Sequence, residues 1–502
     1  MILDSSGDNF VVSADAAGGR QYESLPLWMA RHWEAGATDR LNEAHWSLTE
    51  ASNVPINDWL SESLGTIRSR ATYEVRQNGD LAGMVGTLID DVVGPDGPTL
   101  EVQSDNNAYN DEAEATWKGW FKSPTFDRTL SGAALLRMWV GNLPKCGEFL
   151  AEIATDPTAD GPVKMRLRPK HPRDLQSPVD LTGDARMVLG VEYETTELDR
   201  PARYWLAKYT ANGYTTEVEP WPADLVIHEF ISEEEKQARG YPWFTSSLSS
   251  AADLRDYDDQ IQDAARLMAD QACLLYTTDA SEPWGTPEST EFERRTIKMV
   301  PPGWQPFTQN AALPPVQYPD YVAARQRKIA RPIRMPLMIA QADASRHNYS
   351  SARFDSQGWA RFVQFVQFWL SGSDKSYGVL NRLVDLVLAE ARFSSPTLRT
   401  APAKVSYEWT WPVRPHVDPL KEAAASEKDL VNRVSSLTEE LAARGKSLDT
   451  HIATLKREQE KLEAAGIPLP AYMTGGGSTV DVDPEDDEED ASNSKQGAKA
   501  NG

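Results

Sequence analysis

The sequence predicts an α+β chain in which helices frame a mainly antiparallel β subdomain, and three observations support that class. Long runs with apolar residues at steps of three and four flank the middle of the chain. Between Cys146 and Phe230 the runs become short and alternating, with turn formers between them. At 502 residues the chain is long enough for two or three domains and a sizeable core.

Taken in order, residues 1–27 are rich in Gly, Ser and Asp and read as a flexible arm. From Leu27 the apolar content rises, with Trp28, Trp33, Trp46 and Trp59 among short helical stretches. Residues 67–94 read as two helices broken at Asn78-Gly79, the second carrying Leu81, Val85, Leu88 and Val92 and stopped by Gly94-Pro95. TLEVQSD from Thr99 alternates like a strand, and residues 111–143 read as helical. The strands EFLAEIA, VKMRLRP, MVLGVEYET, ARYWLAKY and DLVIHEF then form one β subdomain.

Residues 244–276 hold a long helical pattern through Leu248, Ala251, Leu254, Tyr257, Ile261, Ala264 and Leu267. Residues 278–318 turn polar and proline rich around a short strand TIKMV, so this insert is expected to project from the body. Helix returns from Tyr321 to Ile333 and is ended by Pro332 and Pro336. Residues 350–369 are dense in Trp359, Phe362, Phe365, Val366, Phe368 and Trp369, which predicts burial on most sides. A helix at 376–393 and a strand KVSYEWTW follow. Two amphipathic helices come next, the first on Leu430, Val434, Leu437 and Leu441, the second on Leu448, Ile452, Leu455 and Leu462. From Thr474 the chain reads GGGS and then an acid block, as a disordered tail does.

Acidic residues number 75 against 51 basic ones, a net charge of -24. Eight acids and two lysines fall within 481–502, so most of the charge belongs to the body. Affinity for duplex DNA comes largely from Lys and Arg neutralising phosphates, so this balance argues against tight duplex binding. Cys146 and Cys273 have no partner spacing and are expected to be reduced thiols. The first residues lack a basic region and an apolar core, and no run of 18 apolar residues occurs. The expectation is a soluble chain that is neither secreted nor spans a membrane.

Asp253, Asp256, Asp258, Asp259 and Asp263 form an acid cluster, spread over more than one helix face, which reads as a solvated or salt-bridged surface rather than a magnesium site. Arg325, Arg327, Lys328, Arg331 and Arg334 follow on the next helix. Two readings stay open for them: charge pairs with the acidic helix, or a basic surface facing phosphates. Residues 341–348, with Gln341, Asp343, Arg346, His347 and Asn348, are short and polar, as a surface loop is. No His pair has helical ligand spacing, and no triad, phosphate loop or dinucleotide fingerprint occurs, so no metal, cofactor or catalytic activity is expected.

An ordered set of short motifs resembles the lambda-type portal proteins of tailed bacteriophages. It runs through Arg68-x-Arg70, Asp91-Val-Val-Gly94, Trp117-x-x-Trp120, Gly147-Glu148-Phe149, Gly190-Val-Glu192, Tyr204-Trp205 and Val226-Ile-His228-Glu-Phe230. It continues with Gln237-Ala-Arg-Gly240, Asn348-Tyr-Ser-Ser-Ala-Arg353, Trp411-Pro412 and Val417-Asp418-Pro419-x-Lys421-Glu422-Ala423. The loop before Gln237 reads EEEK where relatives tend to carry Arg and Pro.

The resemblance implies a portal fold with an α/β wing, a helical stem, a small α/β clip and a helical crown, assembled as a ring of twelve. It places the wing at 28–243 and 350–412, the stem at 244–277 and 319–333, the clip at 278–318, the tunnel loop at 334–349, the crown at 413–470 and an acidic tail at 471–502. It implies a virion protein at a unique capsid vertex, assembled in the host cytoplasm, through which double-stranded DNA is packaged and ejected. Its implied partners are the major capsid protein, the terminase large subunit and a head-tail adaptor.

On this basis the DNA-channel candidates are Arg325, Arg327, Lys328, Arg331, Arg334, Gln341, Asp343, Arg346, His347 and Asn348. Subunit-interface candidates are Asp253, Asp256, Asp259, Asp263, Arg239, Arg353, Trp359 and Phe365. Clip and partner-binding candidates are Trp284, Glu291, Arg294 and Trp304. The competing readings are a metal-dependent nuclease using the aspartate cluster, and a capsid scaffold protein, suggested by the acidic helical C-terminus but leaving the β-rich middle without a purpose.

Overall fold

The computed structural model describes residues 10–14, 20–24, 54–181, 183–210, 213–270, 274–277, 304–307, 317–373, 376–412, 419–443 and 448–464. The chain divides into two units, residues 1–59 and 60–502. The first contains an antiparallel pair, β1 (Phe10–Ala14) and β2 (Arg20–Ser24), inside the arm expected to be flexible.

The helical frame begins with α1 (Ile56–Gln77) and α2 (Gly79–Val92). Asn78 breaks them apart: its side chain accepts from the Asp80 amide and so caps the start of α2. After β3 (Thr99–Gln103) come α3 (Asn107–Phe121) and α4 (Gly132–Cys146). The helical reading of 111–143 is therefore interrupted, because Ser131 caps a new helix and the chain turns between 122 and 131.

The expected single β subdomain is two antiparallel sheets. One has the order β10-β4-β5, from β4 (Glu148–Thr155), β5 (Met165–Lys170) and β10 (Val226–Phe230). The other has the order β6-β7-β8-β9, from β6 (Met187–Val188), β7 (Val191–Tyr193), β8 (Pro201–Thr210) and β9 (Gly213–Pro222). The run MVLGVEYET is a hairpin rather than one strand, since Leu189 and Gly190 both sit at positive φ, as a two-residue hairpin turn requires. Leu150, Leu175, Val191, Tyr204, Leu206 and Val226 form a small core that joins the two sheets.

Helix α5 spans Leu248–Asp270, shorter than the 244–276 pattern. Residues expected to prolong it form β11 (Leu274–Thr277), antiparallel to β12 (Trp304–Phe307). Thr296–Val300, the expected strand TIKMV, lies outside the described residues. Helix α6 (Tyr318–Ala330) stops three residues earlier than expected, before Pro332, and α7 (Leu337–Gln341) starts after Pro336.

The phenylalanine-rich helix is α8 (Tyr349–Ser371), and its burial is one-sided rather than all round. Trp359, Phe362, Val363, Val366 and Leu370 are buried, whereas Phe354, Phe365 and Phe368 are 76%, 41% and 51% exposed. The short strands β13 (Gly372–Ser373) and β14 (Ser376–Tyr377) lead to α9 (Val379–Ala391) and α10 (Pro396–Arg399). Strand β15 (Ser406–Thr410) then returns to pair with β3, Leu100 opposite Trp409. The main core joins α2, α4, α8 and α9, with Trp139 stacked on Phe149 at 4.6 Å between ring centroids.

The last described helices are α11 (Pro419–Val431), α12 (Leu437–Ala443) and α13 (Leu448–Ala464). The expected seam from Leu430 to Leu441 is broken between α11 and α12, leaving Val434 76% exposed. Ser436 and Glu439 exchange side-chain and backbone bonds as a capping box, which starts a separate helix there.

Candidate functional site

Four of the sequence motifs converge on one buried carboxylate. Glu148 opens β4 with no exposed surface; Arg239 approaches it at 2.6 Å, Arg68 of α1 at 2.7 Å and the His228 ring of β10 at 3.1 Å. The Gly240 amide donates to the same carboxylate at 2.7 Å. Arg239 spends its remaining donors on the carbonyls of Pro172, Leu175 and Leu189, and Arg68 donates to those of Cys146 and Gly240. One ion centre therefore ties α1, β4, β10 and the loops beneath the second sheet.

Two glycines permit this approach. Gly147 has φ +82°, and a Cβ there would meet the Tyr241 backbone at 2.1 Å; at Gly240 a Cβ would meet the Gly147 carbonyl at 2.3 Å. Arg239 and Arg68 hold the Glu148 carboxyl well below the usual carboxylate range against the opposing effect of burial. Burial lowers the His228 value, which favours a neutral ring.

This centre corrects one expectation. Arg239 was expected at a subunit interface, but it is 2% exposed and its donors are consumed within the subunit. Trp359 is corrected for the same reason: it has no exposed surface, and its indole donates to Asp91 at 2.7 Å. Phe365 and Arg353, by contrast, are exposed.

The acidic and basic helices, α5 and α6, do pack side by side. Tyr257 lies 4.8 Å from Tyr321 and 6.1 Å from Tyr318 between ring centroids, and the Tyr318 hydroxyl donates to Asp258 at 2.8 Å. That bond pushes the Tyr318 hydroxyl up to about 12. Asp253 and Arg325 face each other at 4.0 Å, the outer limit of an ion pair, while Arg325 also donates to Tyr321. Asp263 pairs with Arg266 on its own helix, and Asp256 and Asp259 are exposed. Arg327, Lys328 and Arg331 are exposed, and none has an ion-pair partner among the described residues. Arg334, at φ 54°, lies over the Phe362 and Phe365 rings at 5.5 and 5.8 Å.

The loop after α7 is largely held to its own body. Gln341 donates to Gln326, which donates to Asp80 of α2 at 2.7 Å. Asp343 accepts from the Ser345 amide and hydroxyl, which lowers its pKa, and Arg346 pairs with Asp320 at 3.3 Å. His347 lies 3.7 Å from Asp355. The Asn348 side-chain oxygen caps α8 through the Ser351 amide. Asp343, Arg346 and Asn348 remain exposed at this edge.

Trp284, Glu291 and Arg294 lie outside the described residues, and Trp304 opens β12 opposite Thr277. Among the described residues no group of His, Cys, Asp or Glu is arranged to hold a metal ion, and no helix is long and apolar enough to cross a membrane. Sequence reasoning missed the Glu148 centre. Its signals were present: an acid inside the apolar strand EFLAEIA, and Arg68 on the stripe of Leu60, Leu64 and Ala71.

Comparison with known proteins gives one family match, to "Phage portal protein, lambda family" over residues 43–367. No curated protein matches. Among solved structures, a chain from the neck of an empty gene transfer agent particle, computed with C6 symmetry, is 14% identical with a TM-score of 0.41, covering 78% of this chain and 94% of that one. A chain from the neck of the native particle, computed with C12 symmetry, is 13% identical with a TM-score of 0.41, covering 81% and 99%. An HK97-family phage portal protein from Corynebacterium diphtheriae is 11% identical with a TM-score of 0.30, covering 69% and 94%.

Proposed function

The chain belongs to the lambda family of phage portal proteins, and from that premise we propose that it forms the ring at a unique capsid vertex through which double-stranded DNA enters and leaves the head. The family match over residues 43–367 carries this reading. The α5 and α6 pair adds to it: two packed helices flank the polar insert 278–318, the arrangement that a stem and a projecting clip need. In this reading the wing comprises 28–243 and 350–412, the tunnel loop 334–349 and the crown 413–470. The clip is the docking surface for terminase and then for head-completion proteins, and Trp284, Glu291, Arg294 and Trp304 are its contact candidates.

The chain's part in packaging is passive. With a net charge of -24 per subunit, a ring of twelve surrounds DNA with like charge, which removes deep binding minima along the path. Arg327 and Lys328 of α6 and Arg331 just past its end, all exposed, centre the duplex through phosphates without reading bases. The Asp256 and Asp259 side of α5 and the exposed Phe365 of α8 meet neighbouring subunits.

Electron microscopy of purified protein tests the reading. Rings with a central opening wide enough for a duplex are expected; particles that stay monomeric under all conditions would end it. A nuclease, in contrast, would cut DNA with magnesium and lose that activity on Asp256→Ala.

A further inference from the structure

We propose that the cleft between α1 and the loops at 171–177 and 189 is a binding site for a carboxylate-rich peptide segment of a partner protein. The cleft has a volume of about 660 Å³ and is lined by Arg68, Arg76, Arg173, Arg239 and His171. None of the described residues lining it carries a carboxylate. In a chain with 75 acids against 51 bases, so local an excess of cations needs a cause.

The buried charges supply that cause. Arg68 and Arg239 are 8% and 2% exposed, yet they share the one carboxylate of Glu148. Asp174, on the adjoining turn, accepts from the His171 amide and takes no hydrogen bond from either guanidinium. A buried cation in excess is costly unless an anion compensates it. Arg68 places Nε and Nη2 on protein acceptors, whereas Nη1 makes no hydrogen bond among the described residues and belongs to a side chain that lines the cleft. Arg68 therefore presents donors already fixed in position. Neighbouring cations also depress His171 and Lys145, after burial as the larger cause.

The walls favour a peptide over a nucleic acid. Leu64, Leu175 and Leu189 contribute apolar surface among the arginines, which suits acidic side chains alternating with apolar ones. Guanidinium groups pair with carboxylates through two parallel bonds. Duplex DNA instead needs a long basic stripe that meets about 6 to 10 phosphates. This inference does not depend on the ring reading, because the cleft lies within one subunit.

The test is fluorescence anisotropy on the full chain with a fluorescein-labelled peptide of alternating Glu and Leu, beside its Gln and Leu counterpart. The Glu peptide is expected to bind at least about tenfold more tightly than the Gln peptide. Arg76→Glu with Arg173→Glu should abolish binding; Arg76→Glu alone, an exposed change on α1, should weaken it with melting unchanged, while Arg76→Lys should retain it. Equal binding of the two peptides, or folded charge-reversed variants that bind normally, would overturn the proposal. So would displacement of the peptide by inorganic phosphate or by a DNA duplex at matched charge.

Discussion

At the scale of single residues, the Glu148 centre shows how a few side chains control a large region. Glu148→Gln leaves Arg68 and Arg239 buried without a counter-charge, and a loss of about 3–5 kcal/mol is expected from denaturant midpoints at neutral pH. The sign of its pH dependence follows from the depressed carboxyl: the stabilisation is complete above the ordinary value of 4.5 and is lost as pH falls through the lower folded value. The penalty of the substitution should therefore shrink at acid pH. Glu229 has the opposite sign. Burial raises its carboxyl to about 7, so the folded state loses stability as pH rises from the ordinary 4.5 to about 7. Glu229→Gln should stabilise the protein by up to about 2 kcal/mol at alkaline pH and have little effect at acid pH. Denaturation at a series of pH values reads both, and a Glu229→Gln curve parallel to wild type would show that this carboxyl is solvated.

At the scale of elements, α8 has one buried face and one exposed face. Trp359→Ala removes a fully buried indole and its bond to Asp91, and a loss of about 3–5 kcal/mol in subunit stability is expected. Phe365→Ala, on the exposed face, should leave the subunit's melting within about 1 kcal/mol and reduce ring yield instead. Sedimentation and thermal melting together distinguish these; a large melting loss for Phe365→Ala would place that ring in the core. The helical period of 350–369 was legible in the sequence, but which aromatic residues meet solvent was not. Periodicity records that a residue is apolar, and only packing decides what it faces. The same distinction explains α5. Its apolar steps run on toward residue 276, but strand pairing with 304–307 takes over at Leu274, a choice made by a segment some thirty residues away.

At the scale of the whole molecule, charge is the property most open to measurement. A ring assembled as proposed is expected to bind short duplex DNA only weakly at physiological salt, with an affinity poorer than about micromolar. Filter binding or anisotropy over a salt series checks this, and tight binding that falls steeply with salt would replace a sliding surface with a holding one.

The sequence by itself determined the class of fold, the order of most helices and strands, the acidic surface and, through its ordered motifs, the family. Those features are local or additive: period, capping residues, net charge and short motifs are all written in neighbouring positions. Only the tertiary structure decided that Arg68, Glu148, His228 and Arg239 form one buried centre, that β3 pairs with β15 across three hundred residues, and that Trp359 and Arg239 are internal. Burial and long-range pairing depend on how the whole chain encloses space, and no window of sequence contains that information.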